Sequence, residues 1–301
     1  ARRAVHISAI VTMVATVGLL YVGGLVTTHE VGMAVPDWPQ TYGENMFTYY
    51  FFDKSFGIIL EHSHRLFASG IGLLTLILGE LIRRYERRTW VRWMGLAAVI
   101  GVILQGVIGG SRVVLNALMG DHLAALHGSL GQAFFALTAA IAVVTSRTWV
   151  EATPIPFTET PLIRRLALIL APGLYVQIIL GVLVRHYNGA GWIFHMIVGA
   201  TVFFTALFLV SVCLLHPIAR RELGSAATVF GIAFTGQIGL GLATLILTGV
   251  LDSEPHAQIT VAEALSTTTH LAMGSILMGL AIYLALMSHR KLGIESTVPT
   301  A

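Results

Sequence analysis

Residues 225–250 read SAATVFGIAFTGQIGLGLATLILTGV, and this stretch decides the fold. Its 26 residues include no Asp, Glu, Lys or Arg. A helix crosses the hydrocarbon core of a bilayer with about 20 predominantly apolar residues, so the stretch predicts a membrane-spanning helix. Seven more runs share its character, at about 5–26, 59–82, 93–112, 122–145, 165–185, 191–215 and 264–288. The reading is an all-α polytopic membrane protein with eight transmembrane helices, arranged as two pseudo-symmetric four-helix bundles.

The whole chain agrees with its most telling segment. Of 301 residues, 55% are hydrophobic and 11% are charged, and the mean hydropathy is +0.80. Soluble domains carry about 25% charged residues, so a water-soluble enzyme is excluded. Ample apolar surface excludes disorder. The single cysteine, Cys213, forms no internal disulfide and excludes a thiolate-held iron–sulfur cluster or a Cys-rich zinc site. Gly23-Gly24 and the lack of an Ala-x-Ala site argue against a removed signal peptide. The chain has no P-loop, dinucleotide fingerprint or zincin motif, and no nucleic-acid partner is expected.

An even number of spans puts both termini on one side. Fourteen of the eighteen basic residues lie at 2–3, 83–92, 147–165, 220–221 and 290–291, all on that side. Lys54, Arg65, Arg112 and Arg185 lie on the other. The positive-inside rule makes the first side cytoplasmic, in a cell (plasma) membrane protein. Histidines show the opposite bias. His29, His62, His64, His122, His127, His186, His195, His256 and His270 fall in the outer half or the outer loops, against three at the cytoplasmic ends.

The pattern Gln-x-x-[Leu/Ile]-Gly in the opening stretch, Gln237–Gly241, recurs at Gln105–Gly109 and Gln177–Gly181. Each copy lies on an outward-running span, and the next span carries a histidine: His127, His195 or His270. The first hairpin has Gly23-Gly24 in the corresponding place and then His64, but no Gln. This predicts an N-terminal half at 1–146, a Pro-rich cytoplasmic linker at 147–163 and a C-terminal half at 164–301. Small residues that let helices approach would also account for the glycines.

Four returning spans thus carry one histidine each near the outer face. Histidines on facing helices can hold one cofactor between them, and neutral imidazole is a good axial ligand for haem iron. Two per half would make two bis-histidine sites. Histidines bonded across helices, or a proton relay, are the alternatives. Glu61, His64 and Arg65 share one helix face, so the carboxylate can serve as base, proton carrier or electrostatic stabiliser. An internal Glu61–Arg65 ion pair is the plainer reading. His62 points elsewhere. His127, five residues beyond His122 and deeper, is the better ligand of the two. Arg65, Arg112 and Arg185 are candidates to meet the acidic groups of a cofactor, although Arg112 and Arg185 also suit snorkelling. The first outer loop, about 27–58, holds Pro36-Asp37-Trp38-Pro39 and an aromatic run from Phe47 to Phe52, which suits a short amphipathic lid.

These residues resemble the haem A synthase family over nearly the whole chain. The resemblance is carried by Gly23-Gly24, Pro36-Asp37-Trp38-Pro39, Glu61-x-x-His64-Arg65, Gln105-Gly106-x-x-Gly109-Gly110 and the histidines 127, 195 and 270. It implies an oxidoreductase that converts the C8 methyl of haem O to a formyl group for cytochrome c oxidase biogenesis. It implies a haem b cofactor held by His195 and His270, substrate haem O at His64 and His127, and Glu61 as the catalytic group near the reacting carbon. Haem O synthase and cytochrome c oxidase assembly are the partners it suggests. Many bacterial members carry a Cys pair in the first outer loop; this chain reads Pro39-Gln40-Thr41-Tyr42 there, so no such disulfide operates. A di-haem b-type electron-transfer cytochrome would use the same four histidines without Glu61, and a proton-coupled permease would use none of them for haem.

Overall fold

The computed structural model describes residues 2–249 and 259–293. The eight expected spans are all present as helices long and apolar enough to cross a membrane. They are α1 (Arg2–Thr28), α2 (Phe56–Tyr85), α3 (Thr89–Val114), α4 (Asn116–Thr145), α6 (Thr160–His186), α7 (Trp192–Leu215), α8 (Pro217–Leu247) and α9 (Val261–Lys291). A short helix, α5 (Arg147–Glu151), and two two-residue strands, β1 (Ile155–Pro156) and β2 (Leu292–Gly293), complete the described elements. The protein is therefore an all-α polytopic membrane protein.

Helices α1 to α4 pack around one another in a closed ring, and α6 to α9 form a second ring of the same order. The rings meet along α1, α4, α6 and α9. Half of the spanning stretch of α4 and of α9 is buried, against 11% for α8. Lipid offers apolar side chains nearly what a neighbouring helix offers, so helices associate where small residues allow close approach and polar groups pair. Helices α4 and α9 satisfy both conditions. The buried Ser275 hydroxyl donates to Oε1 of Gln132 at 2.9 Å, and Gly279 sits against Phe135 and Ala139. On α1, Gly24 faces Thr268 of α9.

Each ring has its own apolar core, and both cores lie toward the arginine-rich end. Ile71, Leu78, Ile82, Val91, Ala98 and Ile141 fill the first ring. Leu170, Leu209, Phe230, Leu277 and Leu284 fill the second. Those on the returning helices, Ile71, Leu78, Ile82, Ile141, Leu209, Leu277 and Leu284, all follow the histidine of their helix. The buried apolar residues nearer the histidines are smaller, among them Ala124, Ala125, Val182 and Ala272.

The segment expected as a free linker is structured. After α5, strand β1 pairs in parallel with β2, Ile155 opposite Leu292, and the Phe157 N–H donates to Gly293 O at 3.1 Å. Arg290 Nε donates to Trp149 O at 2.8 Å. The expected boundary at 164 falls inside α6, because Pro161 starts that helix rather than ending a linker. Proline has no N–H to lose in a first turn and its φ is already helical.

The first outer loop, residues 29–55, contains no helix; its regular feature is an antiparallel bridge between Thr41 and Glu44. Its aromatic run divides: Phe47, Tyr50 and Phe52 are exposed, whereas Tyr49 and Phe51 pack on His62, with centroids 5.5 and 4.4 Å away.

Candidate functional site: four histidine–glycine contacts under a seated loop

In each of the four hairpins the returning helix sets its histidine against a glycine of the outgoing helix. A Cβ on Gly23 would lie 2.9 Å from Cε1 of His64, and on Gly109 it would lie 3.2 Å from that of His127. The corresponding distances are 3.1 Å from Gly181 to His195 and 2.9 Å from Gly241 to His270. Ordinary carbon contact begins near 3.4 Å, so each ring occupies space that any side chain would take. The Gln177 amide stands 3.1 and 3.2 Å from the ring nitrogens of His195, and the repeated glutamine, one turn earlier, also ties down the main chain. Its amide donates to the backbone carbonyl of the same histidine: Gln105 to His127 O at 3.3 Å, Gln177 to His195 O at 2.9 Å, Gln237 to His270 O at 3.0 Å. A helical carbonyl keeps a second lone pair for such a bond. In α1 the corresponding position is Leu19, and His64 has no equivalent tie.

The pairs are brought together within each ring. His195 and His270 face each other with centroids 6.3 Å apart and planes at 73°. The two rings are thus neighbours on facing helices, the arrangement in which histidines can share one metal ion. His64 and His127 stand on α2 and α4 of the same ring, each against its own glycine, Gly23 of α1 and Gly109 of α3. Nδ1 of His64, His127 and His270 is buried without a hydrogen-bond partner among the described residues. Unpaired polar groups inside a membrane are costly, and the usual resolution is a ligand or a functional role. Among the described residues no three His, Cys, Asp or Glu side chains form a metal cage. The paired imidazoles therefore suit a metal whose other ligands come with it, as the macrocycle supplies them to haem iron.

Glu61 lies at the outer end of α2 and is 3% exposed. Both its oxygens are engaged: Oε2 accepts the Val35 N–H at 2.8 Å and Oε1 accepts Nη2 of Arg65 at 2.7 Å. The ion pair anticipated from the spacing is present. Arg65 also donates to Val35 O at 2.7 Å, Asp37 O at 2.6 Å and Gln40 O at 3.3 Å. Four of its five donors are thus spent on Glu61 and the loop, and its guanidinium is turned inward to the chain instead of outward to a cofactor.

The remaining cations differ. Arg112, at the end of α3, lies under Gly32 of the loop, whose Cβ would stand 2.5 Å from Nη2. Its Nε is buried without a partner among the described residues. Arg185 crosses between the rings, donating to Gly24 O at 2.6 Å and to the Thr28 hydroxyl of α1. Of the other outer histidines, His122 bonds the Tyr187 hydroxyl through Nδ1 at 2.6 Å, away from His127, and His29 stacks edge-on with Phe56. His256 lies outside the described residues.

Sequence reasoning missed what seats the loop. The Asp37 carboxylate accepts the N–H groups of Tyr42 and Gly43 at 2.8 Å each, a turn in which aspartate supplies the acceptor. Slight burial opposes its ionisation, yet these two bonds and Arg65 hold its pKa below the ordinary carboxylate value. The Trp38 ring lies on Gly110 of α3, where a Cβ would be 2.4 Å from Cδ2. His62, set aside from the sequence, is fully buried and bonds the Thr41 hydroxyl through Nδ1 at 3.1 Å. The Pro-Asp-Trp-Pro segment carried the signal, but beyond the local Asp37 turn its partners Arg65 and Gly110 lie 28 and 72 residues away in sequence.

The fold and the site define an eight-span helical membrane protein with inward-facing histidine pairs at one end. The family model of COX15-CtaA, cytochrome oxidase assembly protein, matches residues 6–196, and the chain belongs to that family. No curated protein matches the chain individually. The match covers α1 to the start of α7, and so includes Glu61, His64, His127 and His195. The protein has a role in cytochrome oxidase assembly.

Proposed function

We propose that the protein is a haem A synthase, which oxidises the C8 methyl of haem O to a formyl group. The observation that carries this reading is the fourfold glycine–histidine contact in a chain of the cytochrome oxidase assembly family. His195 and His270 would hold a haem b, with His64 and His127 taking the iron of the substrate haem O. Haem b, when bound, supplies a one-electron carrier.

The chain's own residues do the rest. Apolar helix faces admit the farnesylated substrate from lipid. The glycine cradles fix where each imidazole stands, and Gln105, Gln177 and Gln237 hold three of the four histidine backbones. Arg112, with its buried Nε unsatisfied, is the best-placed cation for a propionate. Arg185 is a second candidate that would keep its bonds to α1. Arg65 would act indirectly by holding the loop.

Methyl-to-formyl conversion takes up one oxygen atom and, when that atom comes from water (CH3 + H2O → CHO + 4 H+ + 4 e−), passes four electrons to an external oxidant; positive charge develops at the carbon. Glu61 is held in place as a double acceptor by Val35 N–H and Arg65. A carboxylate so engaged stabilises positive charge without giving up a bond, and that role suits it better than proton acceptance. The seated loop would exclude water from the N-terminal pair. The two bundles thereby divide the work: 1–146 for substrate and 164–301 for haem b. The arginine bias supports cytoplasmic termini and haem sites toward the outer face, in what we take to be the plasma membrane.

The test is pigment extraction from protein made in cells that produce haem O. Haem B together with haem O or haem A is expected from the native chain. Glu61→Gln is expected to retain both haem sites while product stops at haem O or a hydroxylated intermediate. Haem B alone at two per chain, or unchanged haem A from Glu61→Gln, would overturn the respective parts of the reading.

A further inference from the structure

At the end of the molecule opposite the histidines, a cavity of about 390 Å³ opens where α1 begins, α2 turns into α3, and α5 meets the end of α9. Four guanidinium groups line it, those of Arg2, Arg87, Arg88 and Arg290, with Glu86, Trp90, Trp149 and Val150. Glu86 does not balance them. Its carboxylate is taken by Arg88, Nη2 to Oε2 at 2.6 Å, leaving three cations without a carboxylate among the described residues of the cavity. Arg290 spends Nε on Trp149 O at 2.8 Å, which fixes it to the cavity wall. Arg2 and Arg87 are exposed and make no side-chain hydrogen bond or ion pair among the described residues. Trp90 is 47% exposed, with the Arg88 guanidinium 5.3 Å from its ring centroid.

We propose that this cavity binds the phosphate of an anionic phospholipid headgroup. Guanidinium groups recognise phosphate oxygens in a planar, bidentate manner. Basic pockets between transmembrane helices at the cytoplasmic side take acidic headgroups. A free phosphate would meet the same arginines. The lipid is favoured because two tryptophans share the wall, and indole rings settle at headgroup depth with acyl chains beside them. The occupant would bridge the start of α1, the α2–α3 turn and the end of α9, which belong to both rings.

The experiment uses the full chain in detergent, mixed with phosphatidylglycerol or phosphatidylcholine and observed by native mass spectrometry. The native chain is expected to retain phosphatidylglycerol in preference to phosphatidylcholine. Arg2→Gln with Arg87→Gln removes two cations, each worth about a fivefold preference near an anionic surface, so the selectivity should fall about 30-fold. Arg83→Gln with Arg84→Gln removes the same charge from the same end but outside the cavity, and should retain most of the selectivity. Unchanged elution on size exclusion verifies folding, and Arg87→Gln alone, expected to lose about fivefold, serves if the double variant does not fold. Equal retention of the two lipids, or equal losses from both double variants, would overturn the proposal. Displacement of phosphatidylglycerol by millimolar inorganic phosphate would overturn the lipid assignment in favour of free phosphate.

Discussion

Replacing Gly241 by alanine tests the histidine cradle most directly, because α8 supplies its own control. A Cβ at position 241 would stand 2.9 Å from Cε1 of His270, whereas one at Gly239 meets nothing within 4 Å. Both substitutions gain helix propensity, about 0.8–1 kcal/mol for alanine over glycine. Only Gly241→Ala must move a ring, by about 0.5 Å to reach ordinary contact, and overpacking of that kind costs about 1–3 kcal/mol. His270 cannot retreat freely, since Gln237 holds its backbone carbonyl at 3.0 Å. Gly239→Ala is therefore expected to be neutral or more stable by up to about 1 kcal/mol. Gly241→Ala should fall below it by about 1–3 kcal/mol. Unfolding of the two variants and the native chain in mixed detergent–dodecyl sulfate micelles, followed by tryptophan fluorescence, measures the difference. Equal stability of the two variants would refute the cradle. Loss at position 239 as large as at 241 would place the cost in the helix, not in the imidazole contact.

The loop supplies the other predictions. Gly110→Ala would put a Cβ 2.4 Å from the Trp38 ring; the ring should lift from α3, shifting Trp38 emission to the red while the helical circular dichroism stays constant. Arg65→Lys keeps the charge but loses the fork that reaches Val35, Asp37 and Gln40. Two hydrogen bonds lost at about 1 kcal/mol each should raise the rate of proteolytic cleavage within residues 29–55 by about 30-fold, and an unchanged rate would discount the clasp. The depressed Asp37 pKa gives a pH signature. A carboxylate lowered on folding stabilises above its unfolded pKa, about 3.9, and that contribution disappears as the pH falls through the folded value. Loop protection should thus be level from pH 7 to 5 and decline below about pH 4, and Asp37→Asn should remove that decline.

Loop and helix differ in how far their partners could be read in advance. The Glu61–Arg65 pair follows from a spacing of four on one helix, and it is present. What the pair holds, the backbone of Val35 to Gln40, follows from no local rule. His62 looked idle because its partners, Thr41, Tyr49 and Phe51, belong to a loop without periodicity. The Gln132–Ser275 bond between the rings was likewise invisible, since neither residue breaks the apolar pattern of its span.

The sequence by itself determined the number of spans, the glycine one turn beyond each glutamine, and the histidine that follows each outgoing helix. Membrane hydrophobicity and helical spacing are local properties of a chain, and a bilayer leaves a long apolar segment no other regular structure. Tertiary structure alone decided that each glycine faces a ring, that each glutamine holds a histidine backbone, and that the Pro-rich segment is a paired strand. Those contacts join residues 14 to 137 positions apart. They depend on how helices rotate and cross, which small residues and polar pairs set jointly across the bundle.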